Sequence, residues 1–216
     1  MKELSASEIY NLLKKEILSK NIKGHIYVDF AGLKYNIETK DVMGGLLQEW
    51  LEKWMINRNV KFTKPPTQEF PDFILHDNSY LEVKSFDSNA SPNFDVANFD
   101  AYTRSLLTCP QRLDADYLIF SYRLYPNYFE IENIWLKKVW EITGFSKKNC
   151  LNLQVKQEVP VNIRPKKWYG GADMFKNRKE FVDALNNASI KFERQKAQNW
   201  EQVVAEKYKE VTGHEL

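Results

Sequence analysis

The chain has 216 residues, of which 43% are hydrophobic and 28% are charged, and its formal net charge is +2. This composition argues against a disordered chain, and no apolar run approaches the roughly 18 residues that a membrane-spanning helix needs. A net charge this close to zero gives no sign of a polyanionic partner from bulk electrostatics alone. Residues 147–180 are nevertheless rich in lysine and arginine. Such a stretch is either a nucleic-acid-binding face or an ordinary solvated surface.

The N-terminal part of the chain predicts a helix followed by a β-hairpin. Residues 5–19 have an apolar stripe at helical spacing, with Ser5 or Ser7 as the expected N-cap. Charged residues interrupt this stripe, so the segment does not resemble a signal peptide. The two cysteines form neither a metal-binding spacing nor a disulfide framework, so we expect a cytoplasmic protein. Residues 25–37 alternate as in a hairpin that turns near Ala31 and Gly32.

The next segment places charges where an apolar core is expected. Residues 42–57 predict an amphipathic helix, for which Asp41 is the expected N-cap. After two prolines comes the stretch 70–86, FPDFILHDNSYLEVKSF, in which Asp72, Glu82 and Lys84 stand among aromatic and aliphatic residues. A buried carboxylate costs several kcal/mol unless it is paired, protonated or bound to a metal. These three residues are therefore the first candidates for a functional site.

Strand alternation predicts that the three charges share one face of a hairpin. With residues 77–79 as a three-residue loop, Asp72 would lie opposite Lys84. Directly opposed residues share a face, and side chains alternate faces along each strand. Asp72, Glu82 and Lys84 would then emerge on one side of the sheet. The other side would carry the apolar residues of the same strands: Phe73, Leu75, Leu81 and Val83.

Two carboxylates and an ammonium group on one face suit a particular chemistry. Neighbouring carboxylates repel each other unless one is protonated or a cation lies between them. Mg²⁺ prefers carboxylate oxygens and keeps several of its waters, and a nearby ammonium group can orient or help to deprotonate one of these waters. This set suits the attack of metal-activated water on a phosphodiester. The alternative is a half-exposed hairpin in which Glu82 and Lys84 form an ordinary ion pair.

The rest of the chain completes a mixed α/β pattern. We predict a single domain over residues 1–216, with a central mixed β-sheet flanked by helices and a helical C-terminal segment. The expected elements are a polar loop over 87–100, a helix near 98–107, a central strand at 115–125, a strand and then a helix over 129–142, one or two strands broken by Pro160 over 151–163, and helices over 173–211.

The charged hairpin and the helix before it resemble elements of a known family. The PD at 71–72 and the EVK at 82–84 are similar to the PD-(D/E)XK nuclease signature, with nine residues between Asp72 and Glu82. Members of this superfamily place the two motifs on adjacent strands of a mixed sheet. They often take a further acid from a preceding helix, and the GLLQE at 45–49 resembles that element. The resemblance therefore implies a restriction-endonuclease-like fold.

The resemblance also implies roles for individual residues. Asp72, Glu82 and the carbonyl of Val83 would hold Mg²⁺, and Lys84 would position or activate the attacking water. Glu49 would be the additional acid. Gln48 and Glu52 remain alternatives to it, because one helical turn covers all three positions.

Two loops contain candidate DNA-contacting residues. Asparagine and arginine are the usual bidentate readers of adenine and guanine, and lysine contacts phosphates. The first loop, 87–104, offers Asn89, Asn93, Asn98 and Arg104, and the second, NIRPKKWYGG at 162–171, offers Arg164, Lys166 and Lys167. A polar linker and a basic surface loop are the alternative interpretations of these segments.

Among PD-(D/E)XK enzymes, the chain looks most like a type II restriction endonuclease. The resemblance then implies double-stranded DNA as substrate, a homodimer, and a cognate DNA methyltransferase as a genetic rather than physical partner. The catalytic core would span about 42–142, with recognition and dimerisation elements at 87–104 and 160–211. A structure-specific nuclease, such as a Holliday-junction resolvase or repair endonuclease, remains an alternative. A catalytically inert DNA-binding module is another.

Overall fold

The structure is a computed structural model, and it describes residues 1–20, 22–37, 39–66, 69–171, 173–194 and 199–216. Its helices are α1 (Ala6–Ile17), α2 (Met43–Asn57), α3 (Phe99–Ser105), α4 (Val139–Ile142), α5 (Arg178–Lys191) and α6 (Trp200–Thr212). Its strands are β1 (Lys23–Gly24), β2 (Tyr27–Phe30), β3 (Leu33–Asn36), β4 (Phe62–Thr63), β5 (Phe73–Leu75), β6 (Tyr80–Asp87), β7 (Ala97–Asn98), β8 (Asp116–Leu124), β9 (Phe129–Lys137), β10 (Leu153–Lys156) and β11 (Val159–Ile163). None of the described helices is both long and apolar enough to cross a membrane.

The chain divides into two compact units. The first comprises Met1–Pro92 and Asp116–Lys137, and the second comprises Asn93–Ala115 and Lys138–Leu216. The first unit contains a six-stranded sheet in the order β1-β9-β8-β6-β5-β4. β6 and β8 are parallel, whereas the other neighbouring strands are antiparallel. The predicted mixed α/β fold with a central sheet is therefore confirmed.

Two helices pack on this sheet and form the core of the first unit. α1 contacts β9 and α2 contacts β6. Ser5 and Glu8 form a capping box at the start of α1. The apolar stripe of the helix is buried, and Ile9 and Leu13 are fully shielded from solvent. The expected N-cap of the second helix was wrong. Asp41 lies inside a short 3-10 turn that precedes α2, and its backbone N–H donates to the hydroxyl of Thr39 at 3.4 Å.

The hairpin of β5 and β6 corrects the predicted register by two residues. Phe73 pairs with Leu81 and Ile74 with Tyr80, so the three-residue loop is 76–78 rather than 77–79. Extending this register places Asp72 opposite Glu82 rather than opposite Lys84. A shift of two residues preserves the alternation of faces. The apolar residues of both strands are therefore buried in the core, as expected: Phe73, Leu75, Leu81 and Val83.

The turn of this hairpin depends on Asn78, which has a φ of 61°. Asparagine tolerates this left-handed conformation, whereas a β-branched residue is strained there. We expect Asn78→Val to lower the free energy of unfolding by roughly 1–3 kcal/mol, and Asn78→Gly to leave it nearly unchanged. Urea unfolding of both variants tests this expectation. Equal stability of the valine and glycine variants would contradict it.

The second unit contains a smaller antiparallel sheet in the order β10-β11-β7 together with helices α3 to α6. The expected break at Pro160 was misplaced. The chain turns at Gln157 and Glu158, both with positive φ, and Pro160 lies inside β11 next to a register shift. The predicted C-terminal helices are α5 and α6, while residues 195–198 between them lie outside the described residues.

Candidate active site

The three charged residues of the hairpin meet at one site in the first unit. Lys84 Nζ donates to Glu82 Oε1 at 2.8 Å, and the backbone N–H of Asp72 donates to Glu82 Oε2 at 3.3 Å. The backbone N–H of Val83 donates to Asp72 Oδ2 at 2.7 Å. Asp72 and Lys84 are partly buried, and Glu82 is only 8% exposed. The expectation that these three side chains share one face is confirmed.

Helix α2 adds an amide to this site rather than an acid. Gln48 Nε2 donates to Asp72 Oδ1 at 2.7 Å. Glu49 is exposed one position further along the helix, and its role as an additional acid stays a prediction. Glu52 forms an ion pair with Lys64 at 2.8 Å. Sequence reasoning named Gln48 only as an alternative, because the rotation of a helix relative to the sheet is set by tertiary packing.

The pKa of Asp72 is raised from 3.8 to about 6, chiefly by burial of the carboxyl group and secondly by the negative charge of Glu82. The hydrogen bond from Val83 and the charges of Lys84 and Lys64 oppose this effect. Lys64 was not among the residues selected from the sequence, since nothing in its local pattern distinguishes it from other lysines. Ionisation of Asp72 in this site is therefore less favourable than in water, and a nearby cation would make it more favourable.

The raised pKa predicts how stability depends on pH when divalent ions are chelated. The folded protein binds the Asp72 proton more tightly than the unfolded chain, so ionisation destabilises the fold as the pH rises from about 4 through about 6. Asp72→Asn removes this penalty. We expect the stability of the variant relative to wild type to increase between pH 4 and pH 7, by up to roughly 3 kcal/mol. Thermal or urea unfolding across this range measures it, and a constant difference would contradict it.

The donor set fits a hard cation that keeps most of its waters. In the described residues, no group of three or more histidine, cysteine, aspartate or glutamate side chains could hold a metal ion. Asp72 and Glu82 nevertheless supply two carboxylates. The N–H and C=O of one strand residue project to the same side, so the carbonyl of Val83 is directed toward Asp72. Mg²⁺ is commonly held by one or two carboxylates with several waters, so these donors suit it.

The candidate DNA-contacting residues of the second unit are partly engaged within the protein. Arg164 forms an ion pair with Asp95 at 3.0 Å and also donates to the carbonyl of Asn93. Asn98 caps α3 by accepting from the N–H of Ala101 at 2.9 Å, and its amide donates to a β11 carbonyl. These contacts connect the two predicted recognition segments, which are also joined by the pairing of β7 with β11.

The other candidates differ in their surroundings. Lys166 Nζ donates to the carbonyl of Phe145 at 2.7 Å, whereas Lys167 and Arg104 are exposed. Asn89 belongs to the first unit, where its backbone N–H donates to Asp87 and its side chain is exposed. The structure thus gives Asn98 and Arg164 structural contacts, and the DNA-binding roles of all seven residues stay predictions.

Comparisons with known proteins assign the family. A family model described as NgoBV restriction endonuclease matches residues 3–216. The type II restriction enzyme NlaIV of Neisseria lactamica is 37% identical over 97% of this chain and 91% of its own length. The type II restriction enzyme NgoBV of Neisseria gonorrhoeae is 33% identical over 73% of this chain and 93% of its own.

A solved structure agrees with this assignment. That of NlaIV restriction endonuclease has a TM-score of 0.90 and 35% identity to this chain, and the match covers 100% of this chain and 93% of the other. The predictions of a restriction-endonuclease-like fold and of a type II restriction endonuclease are thereby confirmed. The chain belongs to the NgoBV restriction endonuclease family.

Proposed function

We propose that this restriction endonuclease hydrolyses double-stranded DNA at a short recognition sequence in a Mg²⁺-dependent reaction centred on Asp72, Glu82 and Lys84. The observation that carries the proposal is that the β5–β6 hairpin brings Asp72, Glu82 and Lys84 together: Glu82 accepts from Lys84 Nζ and from the backbone N–H of Asp72. Val83 N–H, Asp72, Glu82 and Lys84 form one continuous hydrogen-bonded set. This arrangement has the chemistry needed for phosphodiester hydrolysis and occurs in a chain of a restriction endonuclease family.

Each residue has a distinct role in this proposal. Asp72, Glu82 and the Val83 carbonyl would hold Mg²⁺, which supplies a more acidic water and neutralises charge on the phosphate oxygens when it is bound. Lys84, already within hydrogen-bond distance of Glu82, orients the attacking water and stabilises negative charge near it. Gln48 fixes the rotamer of Asp72 through its amide. Glu49, the exposed residue next to Gln48 on α2, is the candidate for a further acid.

The remaining parts of the proposal concern the assembly and its setting. A homodimer matches the two-fold symmetry of a palindromic site. We assign recognition and dimerisation to 87–104 and 160–211, catalysis to about 42–142, and treat 1–216 as one nuclease domain because the family match spans nearly all of it. The proposal includes a cytoplasmic location, in keeping with the absence of a disulfide framework from the sequence, and a cognate DNA methyltransferase as genetic partner, as the resemblance to type II restriction endonucleases implies.

Digestion of a long, sequenced DNA with and without Mg²⁺ tests this function. We expect discrete fragments that require Mg²⁺ and whose ends define one recognition sequence. A Mg²⁺-dependent smear would instead favour a structure-specific nuclease, and intact DNA with folded protein would favour an inert DNA-binding module. Gel filtration and light scattering of the same preparation test the proposed homodimer.

A further inference from the structure

Two adjacent glycines lie in α2 next to the candidate active site. Gly44 and Gly45 precede Gln48 by four and three residues, and Gln48 donates to Asp72. Residues separated by three or four positions are neighbours on the surface of a helix. The bare backbone of Gly44 and Gly45 therefore forms the helix surface that adjoins Gln48. Both residues are helical and exposed.

The fold itself does not require glycine at either position. A Cβ added at Gly44 or Gly45 would meet no atom within 4 Å in the described part of the chain, outside the helix backbone and the adjoining residues. Neither residue has the positive φ that favours glycine, unlike Gly32, Gly171 and Gly213. Apart from proline, glycine is the poorest helix former. The pair therefore weakens α2 without relieving any steric conflict within the described chain.

Absence of a side chain also allows the backbone of a protein to approach a ligand closely. We propose that the Gly44–Gly45 surface is where the sugar–phosphate backbone of the DNA lies against α2, so that the scissile phosphate reaches Asp72 and Glu82. This inference rests on the proposed function and adds two positioning residues to it. The glycines contact the substrate backbone in this account, but they take no part in proton transfer or in metal binding.

The position of the surface favours DNA over a second copy of the chain. Gln48 follows the glycines by three and four residues on the same side of α2 and donates to Asp72, so a molecule lying on this surface borders the site of phosphodiester hydrolysis. Charge does not decide between the two partners, since the 3-10 turn just before the glycines contains both Lys40 and Asp41. Shape favours the duplex, because a side chain here would separate the helix from it.

Substitutions that strengthen the helix but add bulk test the proposal. Gly44→Ala, Gly45→Ala, Gly44→Leu and Gly45→Leu place good helix formers at these positions. Asn57→Leu is the matched control, because Asn57 is an exposed neutral residue of α2 and lies nine residues, or two and a half turns, from Gln48. The measurements are affinity for a duplex containing the mapped cleavage site in a chelating buffer, melting temperature, and the rise in melting temperature caused by Mg²⁺.

We expect the alanine variants to melt at the wild-type temperature or up to roughly 4 °C higher. The leucine variants should fold equally well and keep the Mg²⁺-induced rise, yet bind DNA at least about tenfold more weakly, with the alanine variants between them and wild type. Asn57→Leu should bind DNA as wild type does. An activity assay should show the same order of rates.

Two results would overturn the inference alone, provided that the wild-type protein cleaves DNA. One is wild-type DNA affinity in both leucine variants. The other is conversion of a wild-type dimer to monomers by the leucine variants, which would assign the surface to a second subunit. If the wild-type protein neither binds nor cleaves DNA, the proposed function fails first and this inference fails with it. Cleavage by the wild-type protein thus separates the two failures.

Discussion

Asp72→Asn is expected to abolish Mg²⁺-dependent DNA cleavage while making the metal-free protein more stable. Loss of one of two carboxylates should slow cleavage by roughly 10³-fold or more, since a bound ion contributes several kcal/mol of charge stabilisation. The hydrogen bonds need not be lost. Asparagine can accept from the Val83 N–H, and the Gln48 amide can turn so that its oxygen accepts from the new NH₂ group. The variant therefore removes a buried charge and keeps its partners.

Single-turnover cleavage of a duplex with the mapped site, combined with melting in a chelator, measures both effects. Asp77→Asn is a matched control, because Asp77 is an exposed turn residue of the same hairpin that accepts from the N–H and hydroxyl of Ser79. Its asparagine variant retains an acceptor and should cleave as wild type does. Cleavage by Asp72→Asn at the wild-type rate would remove Asp72 from the active site.

Lys84→Met is expected to destabilise the metal-free protein and to strengthen its response to Mg²⁺, in contrast to Asp72→Asn. Lys84 Nζ donates to Glu82 at 2.8 Å, and both side chains are mostly shielded from solvent. Its removal leaves two neighbouring carboxylates without their ammonium partner, which should lower the free energy of unfolding by roughly 1–3 kcal/mol in a chelator. Mg²⁺ should then raise the melting temperature more than it does in wild type, because the ion relieves a larger repulsion.

Cleavage by Lys84→Met should nevertheless fall by roughly 10²–10⁴-fold, which is the usual contribution of a group that moves or orients a proton in the reaction. Lys61→Met is the control, because Lys61 forms an exposed ion pair with Glu3 at 2.9 Å that contributes little to stability. A Lys84→Met protein that loses its response to Mg²⁺ would contradict the assigned role. So would one that cleaves at the wild-type rate.

Much of the site could be predicted from the sequence because strand alternation is robust. The register of the β5–β6 hairpin was wrong by two residues, yet Asp72, Glu82 and Lys84 still share a face. Only an error of an odd number of residues would have separated them. The loop position was less predictable, because Ser79 is a more typical turn residue than His76, and either Asn78 or Ser79 could have taken the left-handed conformation that Asn78 adopts.

The contribution of α2 was harder to predict for a geometric reason. Adjacent helix residues point about 100° apart, so Gln48 and Glu49 cannot both face Asp72. Which of the two faces Asp72 depends on the rotation of α2, and this is set by the tertiary packing of its buried residues Leu47 and Leu51. The N-cap was misassigned for a related reason. Thr39 initiates a 3-10 turn ahead of the helix, and no local pattern distinguishes that turn from an earlier helix start.

The most direct test of the account is anomalous diffraction from crystals of the protein with Mn²⁺ and its DNA duplex. We expect a strong anomalous peak for an ion coordinated by carboxylate oxygens of both Asp72 and Glu82, at metal–oxygen distances of about 2.0–2.5 Å. Lys84 Nζ should lie beside a water bound to that ion. A peak at another cluster of acids, in protein that cleaves the same duplex in solution, would contradict the assignment of Asp72 and Glu82 as the metal site.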